Sequence, residues 1–308
     1  MSSDKQRMII CLMGPTAAGK TGLAMELAKQ YPFEIISVDS AMVYRGMDIG
    51  TAKPNEAEQR VAPHRLIDML DPAEPYSAGQ FRVDALHEIE AVLARGNVPL
   101  LVGGTMLYFH VLQKGLTTLP TADGELRATL QARANNEGWP ALHEQLARVD
   151  PNAAKRIHEN DRQRIQRALE VYLLTGKSMT DWQASGTNAL SGYRVHQFAL
   201  APTDRARLHE RIGMRFQQML RLGFMEEVKR LYERGDLTDA LPSMRSIGYR
   251  QAWEHLSGAY GYDEMCDRIL AATRQSGKHQ LTWLRAWPKV MWLDSDAPDQ
   301  AKIILNQL

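Results

Sequence analysis

The chain has 308 residues, 44% apolar and 24% charged, and its 37 Lys and Arg against 36 Asp and Glu give a net charge of +1. That balance excludes a disordered chain, fits one large α/β domain with an insertion or two domains, and leaves a nucleic-acid partner open. Two distant cysteines, Cys11 and Cys266, exclude a disulfide framework and a multi-ligand zinc site.

Residues 1–7 precede only six apolar residues, too few for a secretion signal, and no apolar run approaches the ~18 residues of a membrane span. The expectation is a cytoplasmic protein with no membrane partner, and nothing suggests more than a monomer. Met8–Met13 reads as a strand buried on both faces. A Gly-rich turn follows, then a helix over Gly22–Lys29 that stops near Pro32. Glu34–Val38 and Val98–Val102 read as further strands, the second preceded by a helix over Asp84–Arg95. From about Ala122 to about Ser185 the chain is polar and helical, with Asp150-Pro151 as a cap and no convincing strand. His196–Leu200 and Val290–Leu293 read as late strands, and Asp204–Trp287 is mostly helical, with loops at Pro242 and Gly248. Strands alternating with helices imply a parallel sheet. The expected division is a core of residues 1–121 and 190–308 and a helical insertion of residues 122–189.

Gly14-Pro15-Thr16-Ala17-Ala18-Gly19-Lys20-Thr21 satisfies G-x-x-x-x-G-K-[ST] between a buried strand and a helix start. Backbone amides and the helix N-terminus converge there on an anion, Lys20 adds charge, and Thr21 can ligate a phosphate-bound Mg²⁺. Nucleoside triphosphates such as ATP are the usual guests, but the loop suits any Mg-bound di- or triphosphate. Asp39-Ser40 and Gly103-Gly104-Thr105 end strands, where ligands sit in an open α/β sheet. Asp39 can be a general base, a metal-shell carboxylate or a cap; Thr105 can hydrogen-bond a reacting group or cap a helix. Arg215 can clamp a phosphate, although a solvated helix face is the simpler reading of its run.

Two stretches are basic. Lys155–Arg167 holds five Lys and Arg against two acids, and Arg268–Lys289 holds five and no acid. In the first, Ile165, Leu169, Tyr172 and Leu173 repeat at helical spacing and should face inward, displaying Gln163, Arg164 and Arg167. In the second, Lys278, Gln280, Trp283 and Arg285 mix cations, an amide and a stacking ring, as looped RNA requires. Solvated amphipathic helices are the alternative.

The motifs then form a set. Besides Gly14–Thr21 it includes Asp39-Ser40-Ala41-Met42 with Val43–Asp48, Gly50-Thr51-Ala52-Lys53-Pro54, His64–Asp68, Tyr76-Ser77-Ala78 and Gly103–Tyr108. It continues through Asp161-Arg162-Gln163-Arg164-Ile165-Gln166-Arg167 to Glu170, then Arg245-Ser246-Ile247-Gly248-Tyr249-Arg250 and Gln251. It closes with Lys278-His279-Gln280-Leu281-Thr282-Trp283-Leu284-Arg285. In this order, over nearly the whole chain, the set resembles the bacterial tRNA dimethylallyltransferases, the tRNA isopentenyltransferase (IPP transferase) family.

The resemblance implies a P-loop nucleoside-triphosphate-hydrolase-like (nucleotide-kinase-like) core and a prenyltransferase. The donor is dimethylallyl diphosphate with Mg²⁺, and the acceptor is N6 of the adenosine 3′ of the anticodon, in tRNAs reading codons that begin with U. It implies Asp39 as general base, Thr105 and Arg215 assisting at the diphosphate and bridging oxygen, and Thr21 toward the metal. It also implies tRNA contacts along residues 39–42, 163–167, 245–250 and 278–285, with Thr105 and Arg127, and an adenine flipped out of the anticodon stack. The chain departs from many members at Ala18 (Ser), Met42 (Gln, whose hydrogen bond to the base is missing here) and His279 (Arg).

Overall fold

The structure is a computed structural model that describes residues 7–114, 119–120, 122–184 and 188–308. Residues 1–6, part of the N-terminal reading above, lie outside these, as do Ser185 and residue 121 at the expected insertion boundaries. The described residues divide into two compact units, one running up to Phe109 and resuming over Gly192–Leu308, the other lying within His110–Ser191.

β1 (Met8–Met13) is buried from Ile9 onward, as a central strand must be. α1 (Lys20–Gln30) packs Leu23, Ala24 and Leu27 inward and yields to β2 (Phe33–Val38) after Pro32. α2 (Glu56–Val61) opens on an Asn55–Glu58 capping box. The two-residue β3 (His64–Arg65) is too short for any periodicity and was not expected. α3 (Ala78–Ala94) begins well before Asp84, because the Ser77 hydroxyl accepts from Gln80 N and starts the helix there. β4 (Val98–Gly103) leads into α4 (Met106–Lys114).

The second unit begins at His110, inside α4, not at Ala122. Its helices are α5 (Gly124–Glu137), α6 (Trp139–Val149), α7 (Pro151–Arg156), α8 (Arg162–Thr175) and α9 (Met179–Ala184). Asp123, Asp150 and Asp161 each cap a helix with the side chain. Leu130, Leu142, Leu146, Ile165 and Leu169 meet in its own apolar core. On α8 the inward face differs from the expected one: Leu173 is 46% exposed, whereas Ala168, Glu170 and Val171 are buried.

The first unit resumes with β5 (Arg194–Ala201), α10 (Arg205–Arg221), α11 (Phe224–Tyr232), α12 (Tyr249–Leu256), α13 (Tyr262–Arg285), β6 (Met291–Asp294) and α14 (Gln300–Leu305). Its six strands form one parallel sheet in the order β3-β2-β4-β1-β5-β6, the α/β architecture expected. One cluster packs Leu23, Ala24 and Leu27 of α1 and Ile304 of α14 against the sheet through Ile10, Leu12, Leu100 and Phe198. Another joins Val43, Tyr44 and Met47 to Phe216, Phe224, Tyr249 and Ile269 from α10 to α13.

Candidate functional site

Strand register decides which loops meet. Met13 of β1 and Val38 of β2 both align with Gly103 of β4. Gly14, Asp39 and Gly104 therefore leave the sheet side by side at its carboxyl end, where ligands of such sheets lie.

The loop after β1 closes through left-handed residues, Ala17 at φ 63 and Gly19 at φ 91, and α1 begins at once with Lys20. Glycine makes the second of these turns without strain. Lys20 Nζ donates to Gly14 O at 2.9 Å and to Pro15 O at 2.7 Å. Burial pulls its ammonium down to about 7; nearby Arg215 adds to the shift and Asp39 opposes it. Thr16 N donates to Gln280 Oε1 at 3.0 Å.

Asp39 Oδ1 accepts from Ala41 N at 2.9 Å and Met42 N at 3.3 Å, so the carboxylate does cap the following turn. Thr105 Oγ1 accepts from Ser40 N at 3.1 Å, which ties the end of β4 to the residue beside Asp39. Arg215 is not on a solvated face. It is half-buried, its guanidinium donates through Nη2 to Thr51 O at 3.1 Å, and burial lowers its pKa against the pull of Asp39. Thr51 ends a loop held from below by Glu227, 2% exposed, which accepts from Asp48 N, Ile49 N, Gly50 N and Tyr249 OH.

Two cavities open here. One of 780 Å³ is reached by Lys20 and Thr21 and continues past Met42, Lys53 and Leu222. The other, of 350 Å³, is walled by Phe216, Phe224 and Ile269 and by the Arg245–Tyr249 segment. Asp39, Arg215, Thr16, Met219 and Gln280 line both. The space over Lys20 and Thr21 and a second, half-apolar space thus share a wall carrying one carboxylate and one guanidinium.

Among the described residues no group of three or more His, Cys, Asp or Glu side chains is placed to hold a metal ion. The Thr21 hydroxyl and Asp39 line the larger cavity, oxygens that would suit a Mg²⁺ carried by phosphate, an ion that takes one or two protein oxygens plus phosphate and water.

The sequence-derived RNA segments are sorted by burial. Ser40, Gln163, Arg164, Arg245, Ile247, Arg250, Lys278, His279, Thr282, Trp283 and Arg285 are exposed. Ala41, Met42, Gln166, Arg167, Ser246, Gln280 and Leu281 are half-buried. Ile165, Gly248, Tyr249 and Leu284 are buried, so the side chains of Ile165, Tyr249 and Leu284 serve the cores rather than a surface. In the second unit Arg127 and Arg167 both bond Glu170, which is fully buried and also accepts from Asp123 N. Burial alone would raise the Glu170 carboxyl; the hydrogen bonds from Arg127, Arg167 and Asp123 outweigh it and hold the pKa below the usual range. Among the described residues no helix is long and apolar enough to cross a membrane.

Sequence reasoning missed Glu227. It sits in α11, where an acid reads as helix surface, and its partners lie far off in sequence. The only signal was the Gly50-Thr51 motif, with Gly50 pressed on the rings of Phe224 and Tyr249 that would clash with a Cβ.

The IPP transferase family pattern matches residues 42–287, and that of isopentenyl transferases matches residues 7–72. A tRNA dimethylallyltransferase of Coxiella burnetii is 53% identical over 305 residues, 99% of this chain and 98% of the relative. The full-length tRNA isopentenylpyrophosphate transferase of Bacillus halodurans superposes with a TM-score of 0.70 at 36% identity, over 98% of this chain and 95% of its own. A eukaryotic dimethylallyltransferase acting on tRNA superposes with a TM-score of 0.80 at 25% identity, over 97% of this chain and 77% of its own.

Proposed function

The chain belongs to the IPP transferase family, and from that premise we propose that it is a tRNA dimethylallyltransferase, working in the cytoplasm as a monomer. It transfers the dimethylallyl group of dimethylallyl diphosphate to N6 of adenosine 37, beside the anticodon, in tRNAs reading codons that begin with U. The products are N6-dimethylallyladenosine and diphosphate.

The observation that carries this reading is the wall shared by the two cavities. A diphosphate on the loop amides and Lys20 would occupy the larger space, and an extruded adenine would enter the smaller one past Arg245–Tyr249. The bond from allylic C1 to the bridging oxygen breaks as N6 bonds to C1, and the electron pair departs with diphosphate. Lys20 and Arg215 stabilise the charge gathering on that leaving group. Mg²⁺ bound with the diphosphate, toward Thr21, would neutralise part of the same charge. The adenine amine is a weak nucleophile until it loses a proton, and Asp39 accepts that proton. Oδ1 is engaged by the Ala41 and Met42 amides, so Oδ2 is the accepting oxygen. Thr105 holds the Asp39-Ser40 turn through the Ser40 amide.

The test is incubation with labelled dimethylallyl diphosphate and unmodified tRNA, then nucleoside analysis. Label in N6-dimethylallyladenosine upholds the reading; no transfer, with γ-phosphate of ATP consumed instead, would replace it with a kinase.

A further inference from the structure

We infer that Gln280 is a positioning residue of the donor site, not an RNA contact: its carboxamide clips the phosphate loop to the end of β4. Both ends of the carboxamide are used inside the protein. Oε1 accepts from Thr16 N at 3.0 Å, and Nε2 donates to Gly104 O at 2.9 Å. An amide N–H can only donate and a carbonyl only accept, so this orientation is fixed; turned over, the carboxamide would meet like with like at both ends.

Position 104 is shaped to this contact. A Cβ there would stand 2.5 Å from Gln280 Nε2 and 3.2 Å from Gly14 O, so only glycine lets the two loops and the carboxamide approach this closely. The next residue, Thr105, accepts from Ser40 N beside Asp39. One path of hydrogen bonds and adjacent residues therefore runs from the phosphate loop through Gln280 to the turn that holds the general base. The same helix, α13, exposes Lys278, Trp283 and Arg285. It thus turns one residue toward the donor loop and others to solvent.

The identity of the donor rests on the prenyl-transfer reading; the clip itself does not. Four variants test it: Gln280→Ala, Gly104→Ala, the pair and Gln280→Glu. Three measurements are made: KM for dimethylallyl diphosphate, tRNA retention on filters without donor, and calorimetric binding of Mg-pyrophosphate. Loss of Gln280 is expected to raise the donor KM and weaken pyrophosphate about tenfold, the scale of one hydrogen bond, with tRNA retention unchanged. Gly104→Ala pushes the same carboxamide aside and should match it, and the pair should be no worse than either single change. Gln280→Glu keeps the acceptor for Thr16 but sets an oxygen against Gly104 O, so it should not rescue. Weaker tRNA retention at unchanged donor KM would make Gln280 an RNA contact, and additive losses would make the two residues unrelated; either overturns the clip. If wild type transfers no label, the pyrophosphate comparison still decides the clip while the prenyl-transfer reading falls.

Discussion

The Tyr249 hydroxyl donates to Glu227 Oε1 at 2.5 Å, beneath a loop whose Asp48, Ile49 and Gly50 amides point at the same carboxylate. Burial and Glu227 push the Tyr249 pKa well up, so the phenol stays a donor. Through Thr51 O this buried pair sets the place of Arg215. Tyr249→Phe removes one of four donors and should cost about 1 kcal/mol in thermal unfolding. Glu227→Gln turns an NH₂ on amide hydrogens and should cost about 3 kcal/mol, with a larger fall in kcat. Equal effects of the two changes would mean that the carboxylate does not organise the loop.

Donor binding should depend on pH through Lys20. Its ammonium titrates at about 7 in the free protein, and a polyanion alongside must raise that value. Binding is therefore full below pH 7 and weakens as pH rises past it, by up to about tenfold per unit until the bound-state pKa is reached. KM for the donor measured across that range shows the rise in wild type; Lys20→Met should bind poorly and lose this dependence. A flat wild-type profile would contradict the shift.

In the second unit, Glu170→Gln leaves Arg127 and Arg167 sharing a neutral partner. Breaking a buried charge pair costs about 3 kcal/mol, so amide exchange in α5 and α8 should accelerate while the sheet strands are unaffected. The wild-type carboxyl is held low in the folded state, so its contribution is fully present above the unfolded glutamate range and is lost as pH falls from there through the lowered folded value. Acid should therefore lower the protection factors of those helices, corrected for the intrinsic exchange rate at each pH, more in wild type than in Glu170→Gln.

Arg285 is exposed near the end of α13. Arg285→Ala should weaken tRNA binding and reduce the slope of log affinity against log salt by about 1. An unchanged slope removes this residue from the interface.

Much of this was legible in the sequence because the signals were local. The phosphate loop announced itself by spacing, and the strands before Gly14, Asp39 and Gly104 announced themselves as apolar runs that stop at those residues. That Asp39, Thr105 and Gly14 lie together follows from parallel register, which the βαβ rhythm implies. What stayed hidden depends on distant partners. From its own run Arg215 read as helix surface, because a sequence does not show Thr51 O above it, and only the family resemblance pointed it at the site. Gln280 read as an RNA contact because Thr16 N lies 264 residues away. Leu173 was assigned inward because its spacing from Ile165 and Leu169 suits a helix face, yet the packed face of α8 runs instead through Ala168 and Val171.

Single-turnover transfer by Asp39→Asn bears most directly on the wall between the two cavities. Asparagine keeps an oxygen for the Ala41 and Met42 amides, so the turn survives while the proton acceptor is lost. Transfer from dimethylallyl diphosphate to tRNA should slow by about 10²-fold, with both substrates bound as in wild type. Transfer at the wild-type rate, or a slowing matched by an equal loss of tRNA affinity, would show that Asp39 does not take the N6 proton.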